Sequence, residues 1–327
     1  MWRRRSSPRP MSRRRRIDGA CGVDLSRCEL CPRRCGVDRL AGVRGWCQAG
    51  AETAVYRYAP HFGEEPPISG DRGSGTVFFS HCTLACLYCQ NYPWSQQGEG
   101  DVYDRDGLAD VFRALAHHGC HNWNLVSPTP WLPSLHEVLG LVRAEGVNLP
   151  VVYNTSGYER VETLRAYADD IQVYLTDLRY ARADTARAGS AAADYVENAR
   201  RALVEMWSRL GPLSCDENGV ALSGVICRIL VLPDLAAEAV GSLEWIAATL
   251  GTGVHISLMA QYQPAWKAVG NGAWGRSVGE GEYGRVCEAL ETLGFENGWM
   301  QEYGGEKDAG IVGHDMPRGG FDRCGRD

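Results

Sequence analysis

Six short apolar runs, each followed by a stretch with helical character, limit this chain more than any other feature of its sequence. The runs are TVFFS (76–80), HNWNLV (121–126), LPVVYNT (149–155), IQVYLTDL (171–178), GVICRILVLP (224–233) and VHISLMA (254–260). Between the first two, DGLADVFRALAHHG (106–119) sets Leu108, Val111, Phe112 and Leu115 on one helical face and closes on Gly119. LPSLHEVLGLVRAEG (132–146) likewise ends in glycine. Further helices are expected over 159–169, over one long region 181–210, over AAEAVGSLEWIAATLG and over 279–294. Strands that are apolar throughout, without alternation, are covered on both faces, the pattern of a parallel sheet layered with helices. A doubly wound sheet and a barrel both fit, and in either one ligands bind at the carboxyl ends of the strands.

The chemistry-bearing residues fall at those ends. Cys82–Cys89 follow the first strand, Ser127–Thr129 the second and Asn154–Gly157 the third. Asp177 and Arg179 stand at the fourth, Arg228 lies within the fifth, and Gln261 and Tyr262 follow the sixth. Six strand ends brought to one rim point to a site more strongly than any single motif.

The formal net charge of −6 conceals an asymmetry. Eight arginines against Asp18 leave residues 1–20 at +7, so the remaining body carries −13 and argues against nucleic acid as its partner. Residues 1–20 lack the apolar stretch of about 7–15 residues that a secretory signal needs and read as a basic, disordered tail. No apolar run is long enough for a membrane helix, so no membrane partner is expected. The glycine-rich stretch 303–327 also reads as a disordered tail.

Thirteen cysteines, an odd number without a secretory signal, make a disulfide framework a poor explanation. The expected setting is therefore a reducing cytoplasm, with the thiols serving metal. Cys28, Cys31, Cys35 and Cys47, with Cys21 as a spare, lie in a turn-rich module over 21–60 and suit either a zinc ion or an iron–sulfur cluster. Cys82, Cys86 and Cys89 are only three. They fit a zinc site completed by His81 or a distant residue, a set of buried structural thiols, or a cluster with one iron left open.

The spacing C-x3-C-x2-C directly after a first strand, with Tyr88 before the last cysteine, resembles the signature of the radical S-adenosylmethionine superfamily. CELCPRRCGVDRLAGVRGWCQAG, HFGEEPPISG, GSGTVFFSHC, NLVSPTP, VVYNTSGY, ISLMAQYQPA and ENGWMQE further resemble its pyruvate formate-lyase activating enzyme-like members, over roughly residues 25–302. The resemblance implies an incomplete (β/α)6 TIM-like barrel over 61–302 behind the cysteine-rich module. It also implies a [4Fe-4S] cluster on Cys82, Cys86 and Cys89, with S-adenosylmethionine on the open iron. Tyr88 would stand beside that cofactor. Ser127 and Thr129 occupy the place of a Gly-Gly-Glu-like loop that holds its amino group. Asn154 and Ser156 stand in a turn resembling Asp-Thr-Asn-Gly and would bond ribose or carboxylate. Asp177 and Arg179 resemble an Asp-Leu-Lys segment facing the cofactor, with a planar fork in place of an ammonium. Arg228 resembles a strand-five arginine that meets the cofactor carboxylate. His81 replaces a glycine found in many relatives.

The implied reaction is reductive cleavage of the cofactor and hydrogen abstraction from a protein or small-molecule substrate, with activation of a glycyl-radical enzyme as one form. It needs an electron donor such as flavodoxin or ferredoxin. The competing readings are a non-catalytic zinc or iron–sulfur scaffold, and radical modification of RNA or protein.

Overall fold

The computed structural model describes residues 24–305 and 316–320, so the basic segment 1–20 and Cys21 lie outside it. After a 3-10 turn at Leu25–Arg27 come β1 (Thr53–His61), α1 (Pro66–Ser69), β2 (Ser74–Phe79), α2 (Tyr92–Ser95) and β3 (Asp101–Tyr103). The alternating part begins with α3 (Arg105–His117), β4 (Trp123–Val126), α4 (Leu132–Ala144), β5 (Val151–Thr155), α5 (Val161–Ala166) and β6 (Val173–Asp177). It continues through α6 (Ala183–Ser190), α7 (Tyr195–Leu210), β7 (Ser214–Cys215), β8 (Ala221–Leu230), α8 (Ala236–Leu250) and β9 (His255–Met259). α9 (Glu280–Thr292), β10 (Gly298–Met300) and β11 (Gly319–Gly320) complete the described chain.

All six expected strands are present, as β2, β4, β5, β6, β8 and β9, and they pair in parallel in that order, with β10 beside β9. A doubly wound sheet reverses its strand order at a switch point; this one never does. Sequential winding keeps the crossover helices on one face and curls the sheet as in a barrel. Among the described residues no pairing joins β10 back to the first strands, so the barrel is incomplete. Beyond β2 the sheet is extended by antiparallel β1, which also carries β3 and β11.

Side chains alternate between the two faces of each strand. The outer face packs on helices: Val77, Phe79 and Leu125 meet Leu108, Phe112 and Leu115 of α3 and Leu135, Val138 and Val142 of α4. On the inner face the lower level is apolar, with Val152, Val173, Leu175 and Ile226 closing round Ile68 of α1. Above it the inner face turns polar. Thr76, Asn124, Asn154, Asp177 and Ser257 are all buried there, and Arg228 joins them from β8. These positions follow from the parallel register, which aligns Thr76 with Asn124, Asp177 with Arg228 and Arg228 with Ser257.

The structure corrects two expectations. The helical region 181–210 is two helices, broken where Ala191 adopts a left-handed φ of 54°. Tertiary bonding explains the break: the carbonyls of Gly189 and Ser190 accept the backbone N–H groups of Leu87 and Ala85 at 2.9 and 3.2 Å. The segment 303–327 is not tail throughout, because β11 pairs with β1 at Arg57 and Tyr58. Tyr56 Oη donates to the Met316 carbonyl at 2.7 Å, and Met316 is buried against Tyr56, Phe78 and Trp94.

Candidate functional site

The site begins where β2 ends. His81 takes a left-handed φ of 69°, the conformation that favours glycine, and turns the chain into the cysteine loop. The loop is clamped from below by the end of α6, as described, and each of two sulfurs meets a hydroxyl. Cys86 Sγ lies 3.0 Å from Ser190 Oγ, and Cys89 Sγ lies 3.1 Å from Ser95 Oγ. Arg179 Nη1 donates to Cys86 Sγ at 3.1 Å. Burial pushes the Cys82 thiol up to about 12 and the Cys89 thiol up to about 11. Such thiols stay protonated and inert unless a metal displaces the proton. The groups at the Cys86 and Cys89 sulfurs are hydroxyls and a guanidinium, able to stabilise sulfur in its anionic form, and that chemistry suits cluster ligands.

Among the described residues no three or more His, Cys, Asp or Glu side chains are arranged to hold a single metal ion. In a cubane each thiolate binds a different iron, so Cys82, Cys86 and Cys89 need not converge on one point.

Behind the loop a charged network crosses the inner face. Arg228 Nε donates to Asp177 Oδ1 at 2.8 Å, Nη2 to Asn154 Oδ1 at 2.6 Å and Nη1 to Glu64 Oε2 at 3.3 Å. Arg179 holds the other Asp177 oxygen through Nε at 3.0 Å and Nη2 at 2.6 Å. Burial opposes the Asp177 charge, but Arg228 and Arg179 more than offset it and hold the carboxyl below its ordinary range. Glu64 Oε1 accepts from Asn124 at 3.0 Å and Asn154 at 3.1 Å. The network joins Asn154, Asp177, Arg179 and Arg228 as the rim positions suggested. It also shows that Arg228 has protein partners of its own and that both ends of the Asn154 amide are in use.

The other expected site residues are less uniform. Thr129 is buried and donates to Glu159 Oε1 at 2.7 Å. Ser127 has a left-handed φ of 58°, and its N–H donates to the Asn154 carbonyl at 2.9 Å. Ser156 lends its carbonyl to Tyr195 Oη at 2.8 Å. Among the described residues, the hydroxyls of Ser127 and Ser156 are in no hydrogen bond. Gly157 must be glycine, since a Cβ there would sit 2.3 Å from the Asp177 carbonyl oxygen. Tyr88 is buried, stacked on Trp274 at 5.4 Å, with its hydroxyl 2.6 Å from Tyr180 Oη.

Three acidic residues escaped sequence reasoning: Glu64, Glu65 and Glu159. The first two sit in a proline-rich stretch read as a loop, and the doublet before Pro66-Pro67 was the available signal. Glu159 is 1% exposed, and Thr155 Oγ1 also donates to its Oε1, at 2.5 Å. Burial raises its carboxyl to about 7 against the pull of those hydroxyls.

The cysteine-rich module lies against the same rim. Arg39, 2% exposed, donates to the Pro130 carbonyl at 2.8 Å and to that of Gly50 at 2.9 Å. Thr163 Oγ1 donates to the Leu30 carbonyl at 2.8 Å, and Arg33 Nε to the Thr83 carbonyl at 3.2 Å, inside the cysteine loop. Arg33 also lies over the rings of Trp46 and Tyr158 at 4.0 and 5.2 Å. Within the module Trp46 N–H donates to Cys35 Sγ at 3.3 Å, and burial raises the thiols of Cys31 and Cys47. Arg39 Nη1 lies 3.8 Å from Cys28 Sγ.

Comparison with known proteins finds a relative and two solved structures. The chain is 28% identical over 253 residues to the uncharacterized protein MJ0674 of Methanocaldococcus jannaschii, covering 74% of this chain and 67% of that protein. No protein-family model matches. Among solved structures it is similar to the FeFe-hydrogenase maturase HydG from Carboxydothermus hydrogenoformans, with a TM-score of 0.43 and 13% identity over 67% of this chain. Native anSMEcpe with bound AdoMet gives a TM-score of 0.43 and 11% identity over 66% of this chain. The chain spans 50% and 59% of those two structures. Among the described residues no helix is long and apolar enough to cross a membrane.

Proposed function

We propose that this chain is a radical S-adenosylmethionine enzyme. One observation carries the reading: three cysteines on the turn after the first parallel strand, with hydroxyl or guanidinium groups at the Cys86 and Cys89 sulfurs, open onto a buried polar inner face. Cys82, Cys86 and Cys89 would hold a [4Fe-4S] cluster. The hydroxyls of Ser127 and Ser156, in no hydrogen bond within the described residues, would be available to a cofactor, whereas Asn154, Asp177 and Arg228 position one another. When bound, the reduced cluster would supply one electron to S-adenosylmethionine, whose reductive cleavage would furnish the oxidant for hydrogen-atom abstraction from the substrate.

The remaining roles belong to the chain's own groups. Arg179 Nη1 at Cys86 favours negative charge on that sulfur, and Asp177 balances the guanidinium so that it stays oriented. Tyr88, Trp274 and Tyr262 form an aromatic wall that keeps water from the inner side of the loop. A small reductant such as flavodoxin or ferredoxin would deliver the electron. Within this class, activation of a glycyl-radical enzyme is the finer reading. The module of Cys28, Cys31, Cys35 and Cys47 would carry a second metal, zinc or iron–sulfur.

The test is anaerobic reconstitution with iron and sulfide, reduction by dithionite and assay of 5′-deoxyadenosine from S-adenosylmethionine. The variant Cys82→Ala/Cys86→Ala/Cys89→Ala runs beside it. Product that disappears in the variant supports the reading. A loaded cluster that yields no product and shows no spectral change with the cofactor leaves a metal-binding scaffold as the better account.

A further inference from the structure

Two buried side-chain oxygens on the inner face have no hydrogen-bond partner. Segment 62–70 plugs the lower end of the half-barrel: Ile68 fills the apolar floor, and its carbonyl accepts from Asn122 Nδ2 at 2.7 Å. The plug carries Glu64 and Glu65 up into the lumen, where Arg228, Glu64 and the Ser257 hydroxyl all act on the Glu65 carboxyl. Glu65 is 8% exposed, and its Oε2 is buried without a hydrogen-bond partner. Asn124, fully buried on the same inner face, has the same deficiency at Oδ1. Its amide orientation is fixed, because Nδ2 is committed to Glu64 Oε1 at 3.0 Å and to Thr76 Oγ1 at 3.3 Å.

Both unpartnered atoms are acceptors. The hydrogen bonds of the arginines are directed elsewhere: Arg228 donates to Asp177, Asn154 and Glu64, and Arg179 to Asp177 and Cys86. Burial raises the Glu65 carboxyl above its ordinary range against the pull of Arg228, with Glu64 adding to the rise, so its ionised form lacks a full counter-charge within the chain itself. Two buried oxygens without donors, one of them on a carboxyl whose charge the chain does not fully balance, are costly and are relieved by a ligand that brings N–H donors and positive charge. An anionic or purely acceptor ligand would deepen the deficit.

We propose that this lumen takes the cationic end of the substrate, a guanidinium or alkylammonium group, on the Glu65 carboxylate and the Asn124 carbonyl oxygen. The inference rests on the substrate lumen of the function proposed above, but the binding needs neither iron nor cofactor. Glu65 is thereby a substrate-binding residue, and Glu64 positions Asn124 for the same group.

The test uses the full chain and two cationic probes, methylguanidinium and n-propylammonium, against n-propanol and propionate as neutral and anionic controls. Ligand-observed NMR titration measures affinity. The wild type is expected to bind the cations in preference to both controls, and Glu65→Gln to weaken that binding about tenfold or more. Equal binding of n-propanol, or cation binding unchanged in Glu65→Gln, overturns the proposal. Should Glu65→Gln fail to fold, a crystal of the wild type soaked with methylguanidinium locates the cation directly. Density at Glu65 and Asn124 supports the proposal, and density elsewhere or none overturns it. The 5′-deoxyadenosine assay fails or succeeds independently of this result, so the reaction class and the substrate class are judged separately.

Discussion

Single residues at the rim carry strain and charge that make specific outcomes expected. Ser127 holds a φ of 58° without a hydrogen bond to its hydroxyl, so Ser127→Gly relieves about 1 kcal/mol of backbone strain and raises the melting temperature. If the hydroxyl binds the cofactor, S-adenosylmethionine affinity falls in the same variant, and a binding titration separates the two effects. Glu159 behaves differently. Burial raises its carboxyl from an ordinary value of 4.5 to about 7, so the folded chain keeps a proton there that the unfolded chain has already released. Stability therefore falls as pH rises through that window and stays lower above it, by about 3 kcal/mol at most. Denaturant titrations of the metal-free chain at pH 5 and pH 8 should show a smaller loss in Glu159→Gln than in the wild type. Of these residues, the three cysteines, Asp177 and Arg228 were legible in the sequence, because a thiol cluster or a charge inside an apolar run needs explaining. Glu159 was not, since a glutamate after Tyr158 and before Arg160 looks like any solvated residue until its environment is known.

At the level of elements, the alternation of strand and helix was readable because each element's apolar pattern is local. The break between α6 and α7 was not. Residues 181–210 have continuous helix-forming composition, and Ala191 has no intrinsic preference for the left-handed region. What fixes the break is the carbonyl end of α6 bonding the cysteine loop, a contact between segments about one hundred positions apart. Gly189 lies at its centre, where an added Cβ would come within 2.4 Å of Tyr180 Oη and 2.9 Å of Trp274. Gly189→Ala is expected to destabilise the protein by about 1–3 kcal/mol. It should also loosen the cysteine loop, measured as faster iron loss to a chelator from the reconstituted protein. Unchanged melting and unchanged iron retention would show that the clamp has no role in holding the loop.

Over the whole molecule, the module and the half-barrel are tied together through buried polar contacts, not through a broad apolar face alone. Arg39 is the central tie, and its replacement in Arg39→Met leaves the carbonyls of Gly50 and Pro130 without their donor. A loss of about 3 kcal/mol is expected, with new proteolytic cleavage between residues 24 and 50 as the sign that the module has come away. The sequence by itself determined the six strands β2, β4, β5, β6, β8 and β9, their parallel character and the spacing of both cysteine groups, since these depend on local periodicity and on residues close together in the chain. Only the tertiary structure decided that the winding never reverses, that Met316–Gly320 returns to β1, and that Glu64 and Glu65 enter the lumen. The physical reason is distance along the chain. Glu64 meets Arg228 across 164 positions and Tyr56 meets Met316 across 260, and no local pattern records which buried donor will find which acceptor.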